Sequence, residues 1–167
     1  RDLEKQIRHS SNTDFLTGLY NRRCFYQYIH NNRGGRTVSL MYIDLDRFKE
    51  VNDTYGHKVG DAVLVHTADV LRRLFRDDFV ARLGGDEFLV VRLGKCSMDQ
   101  MEQEAEAFLK EMRTAFLAAE QTVSLSASVG IAQSSDSMVD IDALLQRSDQ
   151  ALYQAKKAGR SRYCVYR

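Results

Sequence analysis

FVARLGGDEFLVVRL, residues 79–93, is two apolar runs held apart by the pair Gly84-Gly85. Two β-forming runs around a glycine pair predict a hairpin, because the tight turns that match the twist of paired strands need positive φ. A hairpin makes at least part of the sheet antiparallel. Upstream, TVSLMYIDL (37–45) is apolar at nearly every position from Leu40 to Ile43, the pattern of a strand buried on both faces. Alternation puts Leu40, Tyr42 and Asp44 on one face and Met41, Ile43 and Leu45 on the other.

Further out, Asn21 is a good N-cap for a helix with Phe25, Tyr28 and Ile29 on one face, ended by Asn31, Asn32 and the pair Gly34-Gly35. Residues 47–54 and 59–76 read as helices around a turn at Tyr55-Gly56-His57. In the second, Val59, Ala62, Val63, His66, Val70, Leu71 and Leu74 follow helical spacing. Residues 98–119 read as one long amphipathic helix, with Met101, Ala105, Phe108, Leu109 and Met112 on one side. TVSLSASVGIA (122–132) alternates apolar with small polar residues, as a half-buried strand does. A helix over 141–158 and a closing strand over 162–166 complete the order αβααββαβαβ. The expected class is α/β in the α+β sense: a mixed, mainly antiparallel central sheet flanked by helices.

The chain has 167 residues, 44% of them hydrophobic, enough for one domain with a real core and too many for a disordered chain. Lys and Arg number 24 against 23 Asp and Glu, and the net charge of +1 argues against a nucleic-acid coat or a polybasic membrane binder. No apolar run approaches the ~20 residues of a transmembrane helix, and there is no signal-peptide pattern. Cys24, Cys96 and Cys164 stand far apart without a CxxC pair, against a zinc ribbon or disulfide framework and in keeping with a reducing, cytoplasmic setting. Proline is absent, and with it any Pro-rich linker. The chain starts at Arg1 rather than Met, so a longer parent protein is expected. RDLEKQIRH (1–9), with Leu3 and Ile7 four apart, reads as the end of a helix or coiled-coil stalk. The division expected is a stalk end over residues 1–12 and one domain over 13–167.

Chemistry concentrates where buried strands end in acids. Asp44 and Asp46 close the first strand, and Asp86-Glu87 sit at the hairpin tip. If the hairpin pairs beside that strand, Asp44 and Asp86 converge. Two or three carboxylates with a backbone carbonyl make a hard-oxygen site suited to Mg²⁺, which recruits phosphates for the rest of its shell. The plain alternative is that these are solvated strand ends or turn acids. Asp46 reads as a helix cap before Arg47 rather than a ligand. Gly84-Gly85 serves a turn, or lets a nucleotide approach the backbone closely. Lys156 and Arg160, spaced i, i+4 around Gly159, suit either a triphosphate clamp or the C-terminus of a helix, where cations offset the macrodipole and Gly159 caps. Spacing alone favours the helix end.

RLGGDEF (82–88) resembles the signature of the GGDEF domain of diguanylate cyclases. The resemblance extends to TDFLTGLYNRRCF (13–25), DLDRFKEVNDTYGHKVGD (44–61) and ALYQAKKAGRSR (151–162), four blocks in the family's order over nearly the whole chain from residue 13. It implies a fold like the palm of nucleotidyl cyclases and polymerases. It implies condensation of two GTP molecules into cyclic di-GMP and two pyrophosphates, with one GTP on each subunit of a homodimer. By match, Asp44, the Leu45 carbonyl and Asp86 would hold two divalent ions, Mg²⁺ or alternatively Mn²⁺. Glu87 would be a further ligand or an aid to deprotonating the 3′-hydroxyl. Lys49 would stabilise developing charge beside Phe48 in a phosphate-cradling turn, and Asn52 and Asp61 would read guanine. Gly84 and Gly85 would lie against the nucleotide, Lys156 and Arg160 would hold the terminal phosphates, and His57 would play a supporting structural part. The resemblance also implies a sensor upstream in the same chain and a cytoplasmic location (free or as part of a membrane-anchored protein) with membrane contact only through segments before Arg1; the neutral charge balance argues against a nucleic-acid partner.

One position departs from the family pattern. The Arg-x-x-Asp product-inhibition motif aligns its aspartate with Asp78, but its arginine position holds Phe75, with Arg76 one residue out of register. The tight inhibitory site is therefore expected to be absent or crippled. Three rival readings remain: a catalytically silent GTP-binding or regulatory domain of the same fold, a structural dimerisation module, and a polymerase-like palm acting on nucleic acid. The intact acids and cations oppose the first. The second leaves those acids unexplained, and neutral charge disfavours the third.

Overall fold

In the computed structural model, which describes residues 12–134 and 138–167, β1 (Val38–Leu45) is the middle strand of a five-stranded sheet. All eight of its residues are buried, as an apolar run with no solvent face requires. The hairpin expected from residues 79–93 forms as β2 (Phe79–Gly84) and β3 (Glu87–Leu93). β3 pairs antiparallel with one edge of β1 and β6 (Ala127–Gln133) with the other, while β7 (Tyr163–Val165) adds in parallel to β6, giving the order β2-β3-β1-β6-β7. The sheet is mixed and mainly antiparallel.

Helices cover both faces, and the alternation along β1 decides which side chain meets which helix. Leu40 and Tyr42 pack with Phe25 and Ile29 of α1 (Arg22–Asn32) and with Leu144 and Leu152 of α5 (Ile141–Lys157). Met41, Ile43 and Leu45 pack with Val63 and Leu71 of α3 (His57–Leu74) and with Met101 and Phe108 of α4 (Met98–Met112). Each large side chain buried this way contributes about 1.5–3 kcal/mol. Asn21 caps α1 as expected, its side chain accepting the Cys24 amide at 2.9 Å. Among the described residues no helix is long and apolar enough to cross a membrane. The stalk expected over residues 1–12 falls on residues that lie, apart from Asn12, outside those described.

Three expectations need correction. The helix over 98–119 stops at Met112, and Phe116–Ala118 instead forms β4, paired with β5 (Gln121–Val123). Phe116 stacks on His66 of α3 with ring centroids 4.3 Å apart, and this packing overrides the helix propensity of the Ala- and Leu-rich stretch. The single strand over 122–132 is two, β5 and β6, and β6 is buried nearly throughout. Its Gly130 faces the backbone of α5 at Ser148 and Leu152, not water. Finally, Asp46 caps nothing: α2 (Phe48–Tyr55) begins after a left-handed Arg47 (φ 55°) with no side-chain cap. The Asp46 carboxylate is drawn instead to the hydroxyls of Ser126 and Ser128, at 2.6 and 2.7 Å.

Candidate functional site

β1 delivers Asp44 to a point where three other elements meet. In register, Asp44 lies opposite Glu87 of β3 and Ser128 of β6. The residue is 8% exposed. Its Oδ2 accepts a bond from Lys156 Nζ, carried by the last turn of α5. Its Oδ1 is buried with no hydrogen-bond partner. Asp86, at the hairpin tip, is tied to the same place by its carbonyl, which accepts the Leu45 amide at 3.2 Å. Burial, and then the neighbouring Asp44 carboxylate, push the Asp86 carboxyl well above its ordinary value, against the pull of Lys156. Two acids and one ammonium thus share a half-buried spot. Such a charge arrangement favours a further cation, because the second acid resists ionising without one.

Glu87 is turned another way: the Tyr42 hydroxyl donates to it at 3.1 Å. Burial and then the Glu87 charge push the Tyr42 phenol up to about 12, so it stays a neutral donor. Among the described residues no three His, Cys, Asp or Glu side chains are placed to hold one ion, and the acids of the site form a pair.

The hairpin tip is clamped by residues that the sequence reading left without a role. Gly84 (φ 147°) and Gly85 (φ 50°) make the turn in conformations that suit glycine. Arg82 reaches over it, donating from Nε and NH2 to the Gly85 carbonyl at 2.9 and 2.7 Å. Its NH1 donates to both oxygens of Asp14, at 2.9 and 3.1 Å. Asp14 also accepts the Thr17 amide and hydroxyl at 2.8 and 2.7 Å. Burial alone would raise the Asp14 carboxyl, but the Thr17 bonds and the Arg82 guanidinium outweigh it and hold it below its ordinary value. The only signal in the sequence was an arginine two residues before a glycine pair and an aspartate three before a threonine.

The expected guanine and phosphate residues lie around the α2–α3 corner and the end of α5. Phe48 and Lys49 open α2, the first half-buried and the second exposed. Asn52 lies against Gly60 of α3 so closely that a Cβ at 60 would fall 1.8 Å from Asn52 Oδ1 and 3.4 Å from the Phe48 ring. Asp61, the next residue, is exposed, as is His57 at the start of α3. Arg160 follows α5 in the left-handed region (φ 64°) and is exposed. Asp44, Asp86 and Lys156 are therefore brought together, Asn52 meets Phe48 at the corner, and Glu87 stands apart on Tyr42.

Phe75, Arg76 and Asp78, at the position that departs from the family pattern, lie in three different settings. Phe75 is 2% exposed and part of the core. Asp78 is engaged at two points by Arg92, Nε at 2.9 Å and NH2 at 2.6 Å, and Arg92 also pairs with Glu104 at 2.8 Å. Arg76 is exposed.

Comparison with known proteins bears on the family and the fold. The family model described as diguanylate cyclase, GGDEF domain, matches residues 11–162. The cyclic di-GMP phosphodiesterase PdeR of Escherichia coli (strain K12) is 38% identical over 170 residues, 99% of this chain and 26% of PdeR. The diguanylate cyclase DosC of the same strain is 37% identical over 171 residues, 97% of this chain and 37% of DosC. The chain thus spans well under half the length of either relative. Among solved structures, the coiled coil and GGDEF domain of DgcB from Caulobacter crescentus, in complex with c-di-GMP, superposes with a TM-score of 0.90 at 28% identity, covering 99% of this chain and 91% of that one. With the family model matching from residue 11 to residue 162 and the likeness of fold extending over the same stretch, the chain belongs to the GGDEF-domain family of diguanylate cyclases.

Proposed function

We propose that the chain is a diguanylate cyclase domain, condensing two GTP molecules into cyclic di-GMP with release of two pyrophosphates, across a homodimer in which each subunit holds one GTP. The observation that carries this reading is the meeting of Asp44, Asp86 and Lys156 at the end of β1, with Asp44 Oδ1 buried and unpartnered. A buried carboxylate oxygen without a donor is costly unless a cation meets it. The paired acids suit hard divalent ions, Mg²⁺ or Mn²⁺; two per site would be held by Asp44, Asp86 and the Leu45 carbonyl, with Glu87 a further acid once it leaves the Tyr42 hydroxyl. When bound, they supply a lowered pKa for the attacking 3′-hydroxyl and charge neutralisation for the departing pyrophosphate.

The remaining work falls to the chain's own groups. Lys156 and Arg160 hold the terminal phosphates, and Lys49 offsets charge that develops in the transition state. Gly84 and Gly85 leave the hairpin backbone open to the nucleotide beside the turn led by Phe48. Asp61 accepts the N1–H and N2–H₂ donors of guanine, with Asn52 beside it. Adenine offers no such donor pair, so ATP is rejected. The domain is read as the cytoplasmic output of a longer sensory protein, in keeping with relatives several times its length.

A second reading keeps the fold and the nucleotide but not the turnover. PdeR, named as a cyclic di-GMP phosphodiesterase, contains a region 38% identical to this chain. Incubation with GTP and Mg²⁺ over a range of protein concentrations separates the two. Cyclic di-GMP that rises faster than linearly with protein and vanishes in Asp86→Ala supports the cyclase. GTP binding without product supports the silent domain, and absence of binding removes the site assignment.

A further inference from the structure

The turn after α5 is held in a conformation that side chains seldom take. Gly159, Arg160 and Ser161 all have positive φ, at 125°, 64° and 50°. Left-handed non-glycine residues are uncommon and persist only when surrounding contacts fix them. The helix end accounts for the start of the turn. The Gly159 amide donates to the Lys156 carbonyl at 3.2 Å and the Arg160 amide to the Ala155 carbonyl at 3.1 Å, the paired bonds of a Schellman motif with Ala158 as the C-cap. What fixes the next residue comes from elsewhere. The Ser161 amide donates to Asp46 Oδ2 at 3.0 Å. Arg113, just past α4, donates from Nε to the Ser161 hydroxyl at 2.9 Å and from NH2 to its carbonyl at 2.7 Å.

Asp46 is itself immobilised. Its Oδ2 accepts the Ser126 hydroxyl and its Oδ1 the Ser128 hydroxyl, and its amide donates to the Ser126 carbonyl at 2.9 Å. Both oxygens are therefore committed to donors. Although Asp46 stands two residues from Asp44, its carboxylate is used up in hydrogen bonds that join the end of β1 to the start of β6 and to the turn carrying Arg160. We propose that Asp46 is a positioning residue: it locks the Arg160–Ser161 turn and so sets where the Arg160 guanidinium meets the phosphate end of a bound nucleotide. The inference rests on the phosphate-holding role proposed above for Arg160. Lys156 belongs to α5 and is oriented by the helix. Arg160 lies beyond it, between its own amide bond to the Ala155 carbonyl and the Ser161 amide held by Asp46.

The test is equilibrium binding of α,β-methylene-GTP, which lacks the scissile bond, against GDP and GMP in Mg²⁺, with folding checked by thermal unfolding. The wild-type protein should prefer the triphosphate to GDP, and Arg160→Ala should reduce that preference by roughly tenfold, the scale of one charge-assisted contact. Asp46→Ala should reduce it to the same extent with GMP affinity unchanged, and the double variant should lose no more than either alone. Asp46→Asn retains an acceptor for the Ser161 amide and should keep most of the preference, which an ion-binding carboxylate would not. If Asp46→Ala does not fold, Arg113→Ala, which frees the other side of Ser161, should show a partial loss. A preference that survives both Asp46→Ala and Arg113→Ala, or losses that add to that of Arg160→Ala, overturns the inference alone. A wild-type protein without the preference, or one that Arg160→Ala leaves intact, overturns the phosphate assignment and the inference with it.

Discussion

Arg82 spends its guanidinium on two partners, and both lie far from it in function. One is the Gly85 carbonyl at the tip of the candidate site; the other is Asp14, at the beginning of the described chain. The Arg82 and Asp14 side chains are 14% and 20% exposed, buried enough for the pair to count. Since the Asp14 carboxyl titrates lower in the folded protein than its ordinary value of 3.8, the unfolded chain binds more protons in that window and stability rises with pH through it. The contribution is complete above about pH 4 and is lost as pH falls through the depressed folded value. Asp14→Asn should therefore be less stable than the wild type by about 1.5–3 kcal/mol at neutral pH, the range for a hydrogen bond to a charged group. The gap should close below about pH 4. Calorimetric scans from pH 2.5 to 7 on both proteins check this, and a gap that stays constant with pH would rule out the ion pair as its source.

Elements, not single contacts, fix the height of Lys156 over Asp44. α5 approaches β6 so closely that a Cβ at Gly130 would lie 2.1 Å from the Ser148 carbonyl oxygen and 2.3 Å from the Leu152 amide nitrogen. Those are backbone atoms, so the helix itself must move. Gly130→Ala should lower the thermal midpoint by roughly 2–12 °C, the range for overpacking in a domain of this size. It should also weaken nucleotide binding by displacing Lys156. A variant with an unchanged midpoint would show that the layer is softer than its contacts imply. The same scale explains what could be read in advance. β1 was legible because it has no polar face, the hairpin because a glycine pair interrupts two apolar runs, and α1 because Asn21 caps it locally. The convergence of Asp44 with Asp86 followed once β3 paired with β1. What misled was decided over distance. The run past Met112 keeps good helix formers, but it pairs with β5 and stacks Phe116 on His66, fifty residues away. Asp46 looked like a cap because its neighbours in sequence suited one, while the donors that claim it come from Ser126, Ser128 and Ser161. Arg82 and Asp14 are 68 residues apart, and no local pattern joins them.

At the scale of the molecule, the proposed reaction has a stoichiometric demand. If each site holds one GTP, as proposed, the product needs two, and two copies would have to meet face to face. Product should not shut this assembly down tightly. Phe75 is sealed in the core where an arginine would be needed, and Asp78 is committed to Arg92. Cyclic di-GMP titrated into the protein should show no high-affinity heat, and tight binding that disappears in Asp78→Ala would refute this. With a net charge of +1 there is no strong monopole to repel a second copy or to draw it in. Under that proposal encounter is set by concentration, and a monomer diluted below its dimer constant would be silent with every catalytic group intact. Fusing a parallel coiled coil ahead of Arg1 replaces that bimolecular encounter with an intramolecular one, at an effective concentration of roughly millimolar. Turnover per subunit at nanomolar protein should then rise by roughly 10²-fold or more, and its dependence on protein concentration should disappear. Sedimentation verifies the dimer and chromatographic product analysis measures the rate. A verified dimer that turns over no faster than the monomer would show that bringing two copies together is not what limits the reaction.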